Sequence, residues 1–245
     1  MYTLKNTRWS YIVVAMAGLL VFMSMAFNNP TKGTATLSNK TTVAKSFVEE
    51  KMGLYESLNL GSLGLSQEAF AYALTGFEKL VHAGTVRRDD ILTILDFSLS
   101  SDKKRLFVIN MASGELIFNT YAAHGKNSGT DVATRFSNEM NSNKSSLGFY
   151  ITGETYTGKH GASLRLEGKE KGFNDNAMVR GIVMHSAAYV NESIIAQQGY
   201  IGRSQGCPAI PANIYKAVIE TIKNGTCLFM YSPDRYYTTH STYFG

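Results

Sequence analysis

Short apolar segments separated by turn residues recur from Ile91 to Tyr231, and they constrain the fold more than any other feature of the chain. Segments this short are typical of β-strands, because helices need longer stretches of amphipathic repeat. Strands are expected at residues 91–97, 105–111, 115–121, 147–152, 163–167, 178–184 and 227–231. A helix is expected at 214–222. The pattern predicts a mainly β domain over residues 91–232, followed by a polar tail, 233–245, that frays.

Apolar residues at helical spacing precede the strands and predict a small N-terminal helical hairpin over residues 42–90. The first helix is marked by Phe47, Val48, Met52, Tyr55 and Leu58. Ser66 is the expected N-cap of the second helix, which continues to Gly84. The aromatic residues of the two helices favour packing on the main domain over a separate binding surface.

The start of the chain has the features of an export signal. Two basic residues precede an apolar run at 11–27, and Ser24-Met25-Ala26 offers small residues where signal peptidase cleaves. Residues 1–26 are therefore interpreted as a signal peptide or as an uncleaved membrane tether, since the run is almost long enough to cross a bilayer. A helix buried in the folded body is disfavoured, because the run has no polar face. Residues 27–41 are expected to be a linker, and the body to be exported.

Composition limits the partners of that body. The chain has a formal net charge of +5, and without residues 1–26, which hold two basic residues and no acidic ones, 22 basic against 19 acidic residues leave +3. A charge this weak and scattered argues against nucleic acid as a partner. It is compatible with an anionic polymer.

The segment Gly202–Pro211 is the main candidate for chemistry. It contains two of the four prolines, two glycines and one of the two cysteines, so the backbone is held in a fixed path around one thiol. Cys207 is a candidate nucleophile, and Gly206 allows backbone N–H groups to approach a developing oxyanion. His185 ends a predicted strand upstream and supplies a base, which makes a Cys/His pair.

Two other interpretations of the cysteines remain open. In an exported chain, Cys207 and Cys227 could form a disulfide, although Cys227 lies in an apolar segment where a free thiol behaves as a small buried side chain. The thiol of Cys207 could also join His124, His160 and His185 in a zinc site. Their spacing matches no compact zinc motif, which disfavours this site.

The histidine and the loop Ser204-Gln205-Gly206-Cys207 together resemble the L,D-transpeptidase family of cell-wall enzymes. The similarity is greatest to murein L,D-transpeptidase catalytic-domain proteins with Gly-Arg-Ser-x-Gly-Cys-Pro, and it extends from about 54 to 231. The segment 146–149 is a second, weaker match. Gln205 stands where commoner members have His, and Ser186 where they have Gly. The resemblance implies a curved mixed sheet or sandwich.

The resemblance also implies a mechanism and a partner. The thiolate of Cys207 attacks the carbonyl on the L-centre of a diamino acid in a peptidoglycan stem peptide, and a thioester forms as the terminal D-residue leaves. His185 takes the thiol proton and returns it to the leaving amine. The amides of Gly206 and Cys207 hold the oxyanion, and a hydroxyl or carbonyl of Ser204 orients the imidazole. No metal or organic cofactor is implied.

Further residues are expected to bind substrate or tune the thiol. Arg203 either binds a substrate carboxylate or lowers the thiol pKa, and Gln205 lies in the same loop. Tyr156 and His160 lie in a Gly-rich connection, 155–161, which is a flap over a groove or a plain structural loop. A neighbouring amine as acceptor would make a cross-link, whereas water would make the protein an L,D-carboxypeptidase. The departures from the family pattern keep open a non-catalytic peptidoglycan-binding protein.

Overall fold

A computed structural model describes residues 46–158 and 161–244 of the chain. The expected signal peptide or tether and the linker at 27–41 therefore lie outside the described residues. Among the helices that are described, none combines the length and apolarity needed to cross a membrane.

The first predicted helix is two short helices, α1 (Phe47–Lys51) and α2 (Gly53–Ser57). Ser46 begins α1 with a capping box, in which its hydroxyl accepts from Glu49 N and its own N–H donates to the Glu49 carboxylate. The helix does not continue through Met52 into Gly53, a residue type that weakens helices through its backbone freedom. The prediction of one continuous helix was wrong.

Helix α3 (Gln67–His82) begins as predicted, since Ser66 Oγ accepts from Ala69 N at 3.0 Å. Its buried face packs against two neighbouring central strands, the first and the last in chain order, and includes Phe70, Leu74, Phe77 and Leu80. A side chain at Gly76 would overlap the Phe149 ring, so a glycine is needed for this close contact of helix and sheet.

The domain is built on one mixed sheet of eight strands. The strands are β1 (Ile91–Asp96), β2 (Leu106–Asn110), β3 (Glu115–Thr120), β4 (Gly148–Gly158), β5 (Gly161–Gly168), β6 (Val183–Ala187), β7 (Ala209–Pro211) and β8 (Cys227–Tyr231). The remaining helices are α4 (Glu192–Gln198), α5 (Tyr215–Ile222) and α6 (Arg235–His240). The prediction of a mainly β fold preceded by helices is confirmed.

The spatial order of the strands is β3-β2-β1-β8-β4-β5-β6-β7. The β1–β8 and β6–β7 pairs are parallel and the other pairs are antiparallel. Just after β3, Ala123 pairs with Ala209 of β7, and Gly125 pairs with Ser204. These bridges bring the two edges of the sheet together, so the sheet is nearly closed.

The predicted strand at 178–184 was largely wrong, because the chain forms turns up to Gly181 before β6 begins. The turn is held by its own side chains, since Asn174 Oδ1 accepts from Glu170 N at 2.8 Å. Met178 and Val179, whose apolarity suggested a buried strand, are 51% and 71% exposed. Helix α4 and the short strand β7 were not predicted at all.

The polar tail does not fray, contrary to the prediction. It forms α6, and Tyr237 is only 1% exposed. Tyr237 Oη and Ser241 Oγ donate to the carboxylate of buried Glu170 at 2.8 and 2.5 Å, and Phe149 N donates to it at 2.8 Å. Burial raises the pKa of Glu170, an effect that these three donors oppose. The tail is therefore fixed to the sheet through one buried carboxyl group.

Replacing Tyr237 with phenylalanine keeps the buried ring but removes a donor to Glu170. We expect the free energy of unfolding in urea to fall by about 1–3 kcal/mol, the usual cost of leaving a buried polar group short of a partner. Tyr236→Phe is the matched control, because the Tyr236 side chain is 66% exposed. Equal unfolding midpoints for the two variants would contradict the assigned role of the tail.

Candidate active site

Residues 202–208, here called the Cys207 loop, connect the region of α4 to β7. Two glycines are required by its path. A Cβ at Gly202 would lie 2.5 Å from Tyr189 Cβ. Gly206 has φ of +127°, and a Cβ there would lie 2.9 Å from Lys144 O. The backbone around Cys207 is thus packed against neighbouring backbone on one side.

Ser204 holds this loop in shape. Its hydroxyl accepts from Gly206 N at 3.0 Å and donates to Cys207 O at 2.6 Å. Its backbone pairs with the segment after β3, through Ser204 N to His124 O at 2.9 Å and Lys126 N to Ser204 O at 2.8 Å. The hydroxyl or the carbonyl of Ser204 was expected to orient the imidazole, but the hydroxyl is used within the loop and the carbonyl accepts from Lys126 N. The Gly206 N–H, expected at the oxyanion, is engaged with Ser204 as well.

His185 lies on β6, beside the Cys207 loop. It pairs with Ala209 in parallel register, and Val183, two residues earlier on the same face, donates its N–H to Cys207 Sγ at 3.5 Å. The Nδ1 atom of His185 lies 2.8 Å from Ser186 O. Because a carbonyl oxygen can only accept, Nδ1 carries the proton and Nε2 is the basic nitrogen. The group that orients the imidazole is therefore Ser186 O.

Both cysteines are free thiols, so the structure does not contain the alternative disulfide. Cys227 is buried in the central strand β8, whereas Cys207 is half-buried. The Cys207 thiol lies 3.6 Å from Gly181 O, to which it can donate. Burial raises the pKa of Cys207, while the Val183 N–H and the positive charge of Arg180 lower it.

Arg180 is the charged residue that the sequence did not reveal. Arg203 was expected either to bind a substrate carboxylate or to lower the thiol pKa, but the cation that lowers the pKa of Cys207 is Arg180. Arg203 instead donates to Gly129 O at 3.1 Å, and its guanidinium lies 5.9 Å from the centre of the Tyr200 ring. The one available signal was the position of Arg180, just before the apolar run that ends at the candidate base.

A cleft of about 630 Å³ opens over these groups. Of the predicted site residues, those that line it are Cys207, His185, Ser204, Arg203, Gln205 and Tyr156. Gly206 is buried within the loop and does not line the cleft, and His160 lies outside the described residues. The charged side chains among the described lining residues are Lys126 and Arg203, so the described wall of the cleft carries positive charge and no carboxylate.

Tyr156 reaches the rim of the cleft from a β-hairpin. Within the expected connection, residues 155–158 form the end of β4 and Gly161 begins β5, with Tyr156 paired to Ser163. The guanidinium of Arg165 lies 4.7 Å from the centre of the Tyr156 ring. The prediction of a loop was wrong for the described residues 155–158, which continue the strand, and Tyr156 lines the cleft.

His124 lies beneath the Cys207 loop and is fully buried. Arg105 Nη2 donates to its Nδ1 at 2.7 Å, so the proton is on Nε2, which donates to Gly129 O at 3.3 Å. Burial and the charge of Arg105 lower the pKa of His124 to about 4. Both ring nitrogens are engaged, unlike those of a zinc ligand. No group of three or more potential metal-binding side chains occurs within 46–158 and 161–244.

Similarity to known proteins covers most of the described residues. A family model described as the L,D-transpeptidase catalytic domain matches residues 62–231. Curated protein sequences give no match. Among solved structures, an L,D-transpeptidase from Mycobacterium smegmatis is similar at 14% identity and a TM-score of 0.37, over 58% of this chain and 59% of that one.

Two further structures are similar at comparable levels. The L,D-transpeptidase from Stackebrandtia nassauensis is 12% identical, with a TM-score of 0.37 over 76% of this chain and 78% of that one. The helical cell shape determining protein from Campylobacter jejuni is 14% identical, with a TM-score of 0.38 over 64% and 55%. The chain thus spans less than two thirds of the Mycobacterium smegmatis protein. The family match covers more than half of the sequence, and the protein belongs to the L,D-transpeptidase catalytic-domain family.

Proposed function

We propose that the protein is a cysteine-dependent L,D-transpeptidase that acts on peptidoglycan stem peptides through a thioester. The observation that supports this most directly is that Cys207 and His185 line the same cleft. They are brought together because His185 on β6 pairs with Ala209 on β7, two residues after Cys207. Ser186 O fixes the imidazole so that its basic nitrogen is Nε2.

The proposed reaction begins when His185 Nε2 removes the proton from the Cys207 thiol. The sulfur then attacks the carbonyl carbon on the L-centre of the diamino acid, and a tetrahedral intermediate forms. As this intermediate collapses, the C–N bond to the terminal D-residue breaks, and the leaving amine receives the proton from His185. The acyl group remains on sulfur until an amine of a neighbouring stem attacks the thioester. An amide bond then forms, the C–S bond breaks, and His185 passes the proton of the amine to the departing sulfur.

We assign the oxyanion to the N–H of Cys207. The backbone N–H of Cys207 lowers the pKa of the residue's own thiol, so it favours a negative charge at this position. In the tetrahedral intermediate, the carbon bonded to this sulfur carries the oxyanion, which would therefore form near the same N–H. Gly206 was expected to supply a second donor, but its N–H already donates to Ser204 Oγ. Its role in this proposal is to permit the turn that presents Cys207.

The positive charge of the cleft is complementary to the terminal D-residue, which is the leaving group of the proposed reaction. Arg203 and Lys126 are the charged residues of its described lining, and a terminal D-residue carries a free carboxylate. We propose that Arg203 binds this carboxylate, while Gln205 and Tyr156 contact the rest of the stem. Because stem peptides lie in the cell envelope, we propose that the body acts there after export directed by residues 1–26.

The experiment is intact mass spectrometry of the exported form after exposure to a carbapenem, a β-lactam class that acylates the thiols of this family. We expect one adduct on the wild type and on Cys227→Ala, and none on Cys207→Ala. An absence of adduct on every form, with Cys207 shown to be reduced and accessible, would contradict the enzymatic proposal and support a peptidoglycan-binding protein. Incubation with stem peptides then separates transfer to an amine from hydrolysis, the L,D-carboxypeptidase alternative.

A further inference from the structure

Arg180 lies just before β6 and binds the loop at residues 137–146, here called the serine loop. Its Nη1 donates to Ser137 O at 2.8 Å and to Ser146 Oγ, and its Nη2 donates to Ser142 Oγ at 3.1 Å and to Lys144 O at 2.7 Å. Four hydrogen bonds from one guanidinium fix both the serine loop and the position of the charge.

The serine loop in turn supports the Cys207 loop. Ser145 is fully buried, and its hydroxyl donates to Gly206 O at 3.2 Å and accepts from Gly125 N at 3.0 Å. Lys144 O, which accepts from Arg180, is also the backbone atom closest to where a Cβ of Gly206 would lie. A continuous set of contacts therefore runs from Arg180 through the serine loop to the residue before the nucleophile.

The charge of Arg180 has no carboxylate partner among the described residues, because all four of its acceptors are neutral carbonyl or hydroxyl oxygens. A Cβ at Gly206 would lie 3.5 Å from Arg180 Nη2, so the guanidinium adjoins the backbone that leads to Cys207. A half-buried cation without an ion pair favours a negative charge nearby, and the thiolate of Cys207 is the negative charge that the proposed reaction creates.

We propose that Arg180 is a positioning residue for Cys207, which supplies a fixed positive charge to the thiolate and holds the serine loop against the Cys207 loop. The effect of Arg180 on acyl transfer rests on the proposed function, whereas its effect on the ionisation of the Cys207 thiol does not. The other titratable side chains that line the cleft with Cys207 are Lys126, Tyr156, His185, Tyr189 and Arg203. The four hydrogen bonds to Ser137, Ser142, Lys144 and Ser146 are made by Arg180.

The test measures the rate of alkylation of Cys207 by iodoacetamide from pH 5 to 10, by mass spectrometry, in folded protein. In Arg180→Met we expect the midpoint of the rate profile to rise by about one pH unit. Arg180→Lys, which keeps the charge, should shift the midpoint by less than half as much. Arg135→Met is the matched control, since it removes an exposed cation close to the serine loop, and its midpoint should equal that of the wild type.

A second variant separates the positioning effect from the charge. Ser145→Ala keeps Arg180 but removes the hydroxyl between Gly125 N and Gly206 O, so we expect an unchanged midpoint and carbapenem acylation slowed about tenfold. Midpoints equal to the wild type in folded Arg180→Met would overturn the assignment. If that variant does not fold, a midpoint in Arg180→Lys that rises by a full unit would overturn it instead. A midpoint shift without any carbapenem adduct on the wild type would sustain the role of Arg180 and refute the proposed function.

Discussion

Replacing His185 with glutamine should lower the rate of carbapenem acylation of Cys207 at pH 7 by a factor of about 10²–10⁴, the usual contribution of a general base. The effect is large because burial raises the pKa of the Cys207 thiol, so the resting group is protonated and needs a base. Glutamine has a similar size and can still donate to Ser186 O, but it cannot take a proton.

The pH dependence identifies the missing base. As the pH rises through the thiol pKa, the sulfur ionises without assistance, and we expect the difference between His185→Gln and the wild type to shrink. Rates are followed by intact mass at several pH values. His240→Gln is the matched control, because His240 is an exposed residue at the end of α6. A wild-type acylation rate at pH 7 in His185→Gln would refute the assignment of the base.

Most of the sheet could be predicted, because its strands are short and their turns carry local signals. Strands β1, β2, β3 and β8 lie within a residue or so of their predicted ranges, and Ser66 caps α3 as expected. The candidate pair could also be proposed from sequence, since a cysteine held by glycine and proline is unusual and an apolar run upstream leads to a histidine, although this histidine lies in the middle of β6 and not at its end. The cleft brings both residues together.

The support of the site could not be predicted, because it depends on contacts between distant parts of the chain. Arg180 and Ser137 are 43 residues apart, and Ser145 and Gly206 are 61 apart. The position of Arg180 before the apolar run is a local signal, but it does not show which loop the guanidinium binds. The tail was misjudged for a similar reason, since its polar composition concealed that Tyr237 reaches a carboxyl group 67 residues away.

Acidification should destabilise the protein through His124, and the direction follows from its pKa. In the folded protein the pKa of His124 is about 4, because burial and then the charge of Arg105 disfavour protonation, whereas an unfolded histidine titrates near 6.5. Above pH 6.5 the ring is neutral in both states and its full contribution is present. As the pH falls from about 6.5 to 4, the unfolded state gains a proton that the folded state excludes, which costs about 3 kcal/mol by pH 4.

The variant His124→Gln isolates this effect, because its side-chain oxygen can still accept from Arg105 but does not titrate. Glu170 and Asp96 have raised pKa values caused by burial, so their protonation works in the opposite direction and is common to both proteins. We therefore expect the wild type to lose about 3 kcal/mol more unfolding free energy in urea than His124→Gln between pH 7.5 and 4. His82→Gln, an exposed helix-end control, should behave as the wild type does.

The same protonation would reach the active site, since His124 O accepts from Ser204 N and the His124 ring shares Gly129 O with Arg203. A cationic ring facing the Arg105 guanidinium would be repelled, and the support of the Cys207 loop would weaken with it. Parallel losses of stability in the wild type and His124→Gln on acidification would show that other groups cause the acid sensitivity. A loss of unfolding free energy confined to the wild type would identify the His124–Arg105 contact, beneath the Cys207 loop, as the acid-sensitive one.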